Sequence, residues 1–203
     1  MLDLQAYLNR LASAEPTPGG GSAATLVGAF GAALVGMVAR LTLGNAKFAA
    51  LHTDALLLVS EADTLRARFL AARQADEKEF SAVVRAQALP RTTDAETAAR
   101  HERIQKALVG AAEAPLHAAA LAGDLLALCE RVAAFRNVGL MSDVVCAITF
   151  GCAALDASEA NVRVNHRYLK DTKLVANQME RLAAIQSAAG RHERAARAIV
   201  ANA

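Results

Sequence analysis

Two aspartates, Asp76 and Asp143, are predicted to lie on apolar helical faces. A carboxylate in such surroundings must be paired with a cation, hydrogen-bonded or protonated. One interpretation is a general acid or base whose pKa is adjusted by burial. The structural alternative for Asp76 is a salt bridge to an arginine on another helix. For Asp143, which follows Ser142 in the apolar run from Val138 to Ile148, it is a favourable charge in the first turn of a helix.

Further polar residues are suited to binding a ligand rather than to catalysing its reaction. Asn161, Arg163 and Asn165 offer amide and guanidinium groups that fit a planar heterocycle or a carboxylate. Lys47 lies near the end of a glycine-rich segment, where its charge suits an anion. The sequence contains no interpretable Ser/His/Asp or Cys/His triad, and its histidines and cysteines lack metal-ligand spacing. We therefore predict no metal site.

A loop rich in proline and glycine, Pro16-Thr17-Pro18-Gly19-Gly20-Gly21-Ser22, precedes an almost uncharged segment over 23–39. Proline and glycine cannot continue a helix, whereas Ser22 is a good N-cap for the alanine-rich run that follows. Free backbone N–H groups at a helix start form an anion site; the alternative is a turn that only lets two helices cross. The loop lacks the Gly-Lys-Ser/Thr ending of a P-loop. Its candidate ligand-binding residues are Pro18, Gly19, Gly20, Gly21 and Ser22.

The elements that must position these residues are all predicted to be helices. Apolar spacing and stop signals delimit them, and we find no credible series of strands. A capping box at Thr93 and Glu96 opens the third long helix, and a kink or break is expected between Gly110 and Pro115. We predict one all-α domain over 1–203, an up-and-down bundle of about five or six long helices. The predicted ranges are 2–13, 23–39, 53–89, 93–135, 142–161 and 171–203.

Composition excludes several function classes. The net charge is +2, Trp is absent and no long run of like charge occurs, so we expect no nucleic-acid surface. The segment 23–39 is long enough for a membrane span, but it is rich in Ala and Gly and no second convincing span is found, so we predict a bundle helix. The start lacks a signal-peptide layout, and the three cysteines have the context of reduced core thiols. We expect the cytoplasm.

Several blocks of residues recur in one known family: Pro16 to Ala24, Met37 to Thr42, Gly44 to Phe48, Asp76 to Phe80, Ala88 to Pro90, Ser142-Asp143, and Asn161 to Asn165 ahead of Lys170-Asp171. Together they resemble the formiminotransferase-cyclodeaminase C-terminal family, whose stand-alone bacterial members include methenyltetrahydrofolate cyclohydrolases. The resemblance covers essentially the whole chain, and the first and last blocks in this order make it specific. Two departures from the family pattern are Ala46 with Phe48, where a lysine and a tyrosine are more usual, and Glu79, where a small residue is usual.

The resemblance implies a homodimeric bundle with a folate cleft beside the glycine-rich loop and near the subunit interface. It implies no permanently bound cofactor, and a tetrahydrofolate derivative as substrate, with or without a polyglutamate tail. Asp76 or Asp143 would transfer the proton, and Lys170 with Lys173 would attract the tail. The loop amides and Lys47 would hold a polar edge or the folate carboxylates. Asn161, Arg163 and Asn165 would orient the pterin, with Ser142 also at the site.

We favour hydrolysis of 5,10-methenyltetrahydrofolate to 10-formyltetrahydrofolate, because no fused transferase domain is present in this sequence to hand over a formimino group. The first alternative is a formiminotetrahydrofolate cyclodeaminase that releases ammonia. Two non-enzymatic alternatives are a folate-binding bundle without turnover, to which the departures at Ala46 and Phe48 lend support, and a helical interaction module.

Overall fold

The computed structural model describes residues 3–203, and in that range every regular element is helical, as predicted. Two short 3-10 turns, Ala46–Leu51 and Val138–Leu140, precede the third and fifth helices. Leu2, at the start of the first predicted helix, lies outside the described residues. The six α-helices are α1 (Leu4–Leu11), α2 (Gly20–Leu43), α3 (His52–Gln87), α4 (Asp94–Ala133), α5 (Met141–His166) and α6 (Thr172–Ala201).

The long helices run up and down, each packed on the one before it. Contacts between α2 and α5 close α2, α3, α4 and α5 into a ring, and α6 packs on the outside against α4 and α5. The small residues of α2 allow this close approach. A Cβ atom on Gly28 would lie 2.9 Å from Cδ1 of Phe69, and one on Gly31 would lie 2.7 Å from Cδ2 of Leu125. Phe69 and Leu125 are buried at the centre of the core.

Helix starts follow the sequence signals in two cases and depart from them in one. Thr93 and Glu96 form the predicted reciprocal capping box, and Asp171 caps α6 through the amides of Lys173 and Leu174. The prediction that Ser22 is an N-cap is wrong, because α2 begins two residues earlier, at Gly20. Ser22 is instead inside the helix and fully buried, and its hydroxyl bonds to side chains of other helices.

Of the kink or break predicted between Gly110 and Pro115, the break is absent, because α4 runs as one helix of 40 residues. Proline at position 115 has no N–H to donate to the carbonyl of Ala111, four residues earlier. The side-chain amide of Asn165 on α5 fills this vacancy, donating to that carbonyl over 2.6 Å. Tertiary packing thus supplies the hydrogen bond that the helix itself lacks.

By length and composition, three helical segments of the described chain are apolar enough to cross a membrane, Gly20–Leu43, Asp94–Ala133 and Val138–His166. The prediction that 23–39 would be the only such segment is therefore wrong, because alanine-rich packing faces raise the hydropathy of α4 and α5 as well. The bundle buries over half of the apolar window in the first two, but only 33% in the third. The outer face of α5 accordingly carries the exposed Cys146, so the cysteines are not all core thiols.

Candidate functional site

A pocket of about 200 Å³ opens beside the proline- and glycine-rich loop. The loop and the start of α2 form one wall, and α3, α4 and α5 form the others. The pocket is therefore built where the start of α2 meets the second half of α3 and the end of α5. Its lining residues are Pro16, Thr17, Gly19, Gly20, Gly21, Asp76, Glu77, Phe80, Ala111, Asn161, Val164 and Asn165.

Asp76 projects from α3 into this pocket, directly against the backbone of Gly21. A Cβ atom on residue 21 would lie 2.7 Å from Cγ and 2.8 Å from Oδ2 of the Asp76 carboxyl group, so only glycine fits there. Burial, together with the charge of Glu77, raises the pKa of Asp76 to about 6, although the backbone amide of Ser22 opposes the shift. A carboxyl group with this pKa exchanges protons readily near neutral pH.

Two amide side chains of α5 lie on the opposite wall. Asn161 donates to the carbonyl of Ala157 in its own helix, and its Nδ2 would lie 3.7 Å from a Cβ atom on Gly20. Asn165 donates to the carbonyl of Ala111. The protein uses one N–H of each NH₂ group, so the side-chain carbonyl oxygen and the second N–H of each asparagine can bond to a ligand.

A chain of hydrogen bonds lies behind the pocket. The Ser22 hydroxyl donates to Oε1 of Glu77 over 2.8 Å, and the Tyr7 hydroxyl, 2.9 Å away, donates to Ser22 in turn. Arg73, one turn before Glu77 on α3, donates to the same Oε1 over 2.6 Å. Its guanidinium group also lies 5.8 Å from the centre of the Tyr7 ring. These four side chains connect α1, α2 and α3 directly beside Asp76.

The predicted site residues divide between the two ends of the bundle. The loop residues, Asp76, Asn161 and Asn165 come together at the end where α2 starts, with Ser22 and the buried Pro18 just behind the pocket lining. Lys47, Ser142 and Asp143 lie at the other end, because α2 is 24 residues long and α5 runs antiparallel to it. Asp143 and Asn161 are 18 residues apart on α5, a separation of about 27 Å.

Arg163 and Lys170 lie near the pocket without lining it. Arg163 is two residues from both Asn161 and Asn165, which places it on the other side of the helix. There it is exposed and pairs with Glu159 over 2.7 Å. Lys170 is exposed in the turn before α6, and its backbone N–H donates to Gln105.

Comparison with known proteins shows the family of this chain. The family model described as formiminotransferase-cyclodeaminase matches residues 3–184. This chain belongs to the formiminotransferase-cyclodeaminase family. It is 38% identical over 188 residues to the methenyltetrahydrofolate cyclohydrolase of Methylorubrum extorquens, an alignment that covers 92% of this chain and 90% of that protein.

Two further proteins are less similar to this chain in sequence. The formimidoyltransferase-cyclodeaminase of Rattus norvegicus is 29% identical over 168 residues, which cover 83% of this chain but only 31% of the rat protein. The crystal structure of the formiminotetrahydrofolate cyclodeaminase from Thermotoga maritima superposes with a TM-score of 0.88 at 24% identity, covering 99% of this chain and 96% of that one. The second likeness establishes the shared fold.

Several pocket residues of this family member escaped the sequence analysis. By spacing Phe80 continues the apolar stripe of α3, but its side chain is 42% exposed and lines the pocket. Val164, also exposed, stands opposite on α5. Glu77 follows Asp76 directly, and the signal that could have pointed to it and to Phe80 is their place in the block from Asp76 to Phe80 that carries the family resemblance. Among residues 3–203, no group of three His, Cys, Asp or Glu side chains is placed to hold a metal ion.

Proposed function

We propose that this protein hydrolyses 5,10-methenyltetrahydrofolate to 10-formyltetrahydrofolate, with Asp76 as the general acid and base. The observation that carries the proposal is the Asp76 carboxyl group, held against Gly21 in a pocket with a pKa raised to about 6. The cyclohydrolase of Methylorubrum extorquens, similar over nearly its whole length, supports the choice of reaction.

In this mechanism, the Asp76 carboxylate takes a proton from water as the water oxygen attacks the methenyl carbon. The electron pair of the C=N5 double bond moves to N5, leaving a neutral tetrahedral carbon between N5 and N10. Collapse then forms the formyl C=O bond and breaks the bond to N5. The protonated Asp76 delivers its proton to N5, and the hydroxyl proton leaves to solvent. One proton is released overall, and a positioned acid and base contributes about 10² to 10⁴ in rate.

The pocket walls suit such a substrate. The methenyl group is cationic, and the neighbouring carboxyl groups of Asp76 and Glu77 favour a positive charge there. Phe80 and Val164 offer apolar surface to a ring system, and the free amide oxygens of Asn161 and Asn165 accept from its N–H groups. The volume of about 200 Å³ is smaller than a drug-sized ligand requires, so the pocket takes the ring end of the folate while the rest extends outside.

The second candidate is the cyclodeaminase reaction, which the relatives from Rattus norvegicus and Thermotoga maritima carry in their names. It uses the same acid and base but expels ammonia while closing the ring. Two spectrophotometric assays on purified protein separate the candidates. Fast loss of the methenyl chromophore supports the hydrolase, and fast formation of it from formiminotetrahydrofolate supports the cyclodeaminase. No change in either assay, with folate binding retained, would indicate a binding protein.

We further propose that the active form is a homodimer paired through α2 and α5. An uninterrupted row of apolar residues at helical spacing follows the outer face of α2 and is left partly or fully exposed. Beside it, α5 exposes Val145, Cys146, Thr149 and Ala153. A contiguous apolar surface of this length marks an interface. The α2 row consists of Ala23, Val27, Phe30, Leu34, Met37 and Leu41.

A two-fold axis across this face would place the two α2 helices antiparallel. Lys47, Ser142 and Asp143 of one subunit would then approach the loop pocket of the other, where folate extends out of its pocket. Phe30→Glu is expected to produce monomers in sedimentation experiments and to make activity depend on protein concentration. Tyr168→Glu, at an exposed position away from this face, is the control. A monomeric wild-type protein would refute the pairing.

A further inference from the structure

Glu77 is the most strongly held acidic side chain at the pocket, yet the mechanism above gives it no proton to transfer. Its side chain is 19% exposed and accepts hydrogen bonds from both Arg73 and Ser22 on Oε1. Both donors are themselves enclosed, Arg73 at 12% exposure of its side chain and Ser22 at 0%. A carboxylate with two buried donors stays in one place.

We propose that Glu77 is a positioning residue for Asp76. Clamped by Arg73 and Ser22, it keeps a fixed negative charge beside the Asp76 carboxyl group and holds the start of α2 against α3. The inference rests on the proposed function for the role of Asp76, and it adds a second acid whose charge, rather than whose proton, serves the reaction.

The geometry gives Glu77 both tasks. Ser22 follows Gly21 in the chain, so the bond between Ser22 and Glu77 holds the backbone that touches Asp76. The bond from Tyr7 to Ser22 extends this clamp to α1. Loss of the clamp would let the loop move away from the carboxyl group, and a shift of about 1 Å is enough to weaken catalysis strongly.

The charges that face Asp76 are few. On its own helix the neighbouring charge is that of Glu77, with which Arg73 is paired, and the phenol of Tyr7 approaches from α1. Glu79, three residues further along α3, packs against Gly110 of α4. The pocket walls from α4 and α5 contribute Ala111, Asn161, Val164 and Asn165, which are uncharged. Burial is the larger cause of the raised pKa of Asp76, and the neighbouring charge of Glu77 raises that pKa further. Arg73 partly offsets that charge, so removing Arg73 and removing Glu77 should act in opposite directions.

Carbon-13 NMR titration of the aspartate carboxyl groups in the ligand-free protein tests the electrostatic half, with Asp76→Asn to assign the signal. Glu77→Gln should lower the pKa of Asp76 by about one unit, and Arg73→Gln should raise it. Glu77→Asp, which keeps the charge, should leave it near the wild-type value. Equal pKa values in all variants, or shifts of one sign for both neutral variants, would overturn the proposal.

The pH dependence of kcat/KM tests the catalytic half. In Glu77→Gln the acidic limb should move down by about one pH unit, and the plateau should fall about three- to ten-fold because Asp76 becomes a weaker base. A merely structural role would scale the profile without moving the limb, and that result would overturn the proposal. If Glu77→Gln does not fold, Arg73→Gln and Glu77→Asp still decide it. If the protein turns over no folate, the proposed function fails, whereas the titration still decides whether Glu77 acts on Asp76.

Discussion

The two ends of the bundle each carry an aspartate from the sequence analysis, but in different physical settings. Asp76 lies in the interior of α3, where the helix ends cannot compensate its charge, and it faces Gly21 and a second carboxylate. Asp143 lies in the first turn of α5, where the helix dipole favours a negative charge. The fold therefore raises the pKa of Asp76, whereas it places the charge of Asp143 where the dipole of α5 favours it.

The same contrast extends to the neighbours of each aspartate. Around Asp76, the loop, Asn161 and Asn165 converge on one pocket. Around Asp143, Ser142 and Lys47 are exposed to solvent in the single chain. The end that carries Asp76 forms a pocket within a single subunit. The end that carries Asp143 could contribute to a binding site only if a second subunit packs against it.

The sharpest test of this contrast replaces each aspartate by asparagine. Asp76→Asn should reduce kcat/KM for the methenyl substrate by about 10² to 10⁴, because the acid and base is lost. Asp143→Asn should cost at most about ten-fold, since in the proposed dimer it contributes to the site only from the partner subunit. Steady-state kinetics with circular dichroism as a folding control measures both. Equal losses would break the distinction between the two ends.

Replacing a glycine by alanine at each end of α2 compares how much activity depends on close packing at the two ends of the bundle. Gly21→Ala should lower activity about 10- to 100-fold, because the new methyl group displaces the Asp76 carboxyl group from its place. Gly44→Ala places its Cβ no closer than 3.7 Å to other atoms and should leave activity within about two-fold. Full activity in Gly21→Ala would refute the contact.

The pH dependence of the free energy of unfolding compares Asp76 with Asp143 in the absence of substrate. The folded-state pKa of Asp76, about 6, lies above its ordinary value of 3.8, so folding favours the protonated form. That contribution is complete below about pH 4 and is lost as the pH rises through 6. Asp76→Asn should therefore stabilise the protein by about 1 to 3 kcal/mol at pH 8 and have little effect at pH 4.

Urea unfolding at the two pH values measures this effect. The matched variant Asp143→Asn should lack the gain at pH 8, because a charge in the first turn of α5 is favourable there. A pH-independent effect of Asp76→Asn would show that the carboxyl group is ionised equally easily in the folded and unfolded chain.

Much of the fold follows from local signals in the sequence. The capping box at Thr93 and Glu96, and the cap at Asp171, mark true helix starts because the side chain and the amides that it satisfies are neighbours in the chain. The apolar spacing of α3 predicts its buried face from Leu58 to Ala72, because residues three and four apart in a helix lie on one face. The all-helical class was therefore predictable.

The errors arise where a distant residue overrides the local preference. Ser22 is a good cap by type, but Glu77 and Tyr7 engage its hydroxyl, so the helix starts earlier at Gly20. Phe80 fits the apolar stripe by spacing, but the pocket replaces the core at that point of α3. The residues that bond to Ser22, and the pocket walls that Phe80 faces, come from distant parts of the chain, so local spacing alone could not reveal either position.

The candidate site was half predictable. The sequence pattern singled out the glycine-rich loop, Asp76, Asn161 and Asn165, which do meet in one pocket. It also grouped Lys47, Ser142 and Asp143 with them, because a motif order along a chain carries no information on which ends of antiparallel helices coincide. Helix lengths of 24 and 26 residues, known only once the boundaries are fixed, separate the two groups.

The smallest effect concerns how α4 continues through Pro115, with Ala111 at the pocket. Ala111 is 6% exposed, and its carbonyl takes the Asn165 amide in place of the missing N–H. Asn165→Ala should cost about 1 to 2 kcal/mol of unfolding free energy, because that carbonyl loses its donor.

In a Pro115→Ala background, the restored N–H donates to Ala111 within the helix, so the same substitution should cost about 1 kcal/mol less. Urea unfolding of the four proteins gives the coupling. Costs that add within about 0.3 kcal/mol would mean that Asn165 and Pro115 act independently. A measured coupling would instead show that the hydrogen bond missing at Pro115 is replaced by a side chain that also lines the pocket.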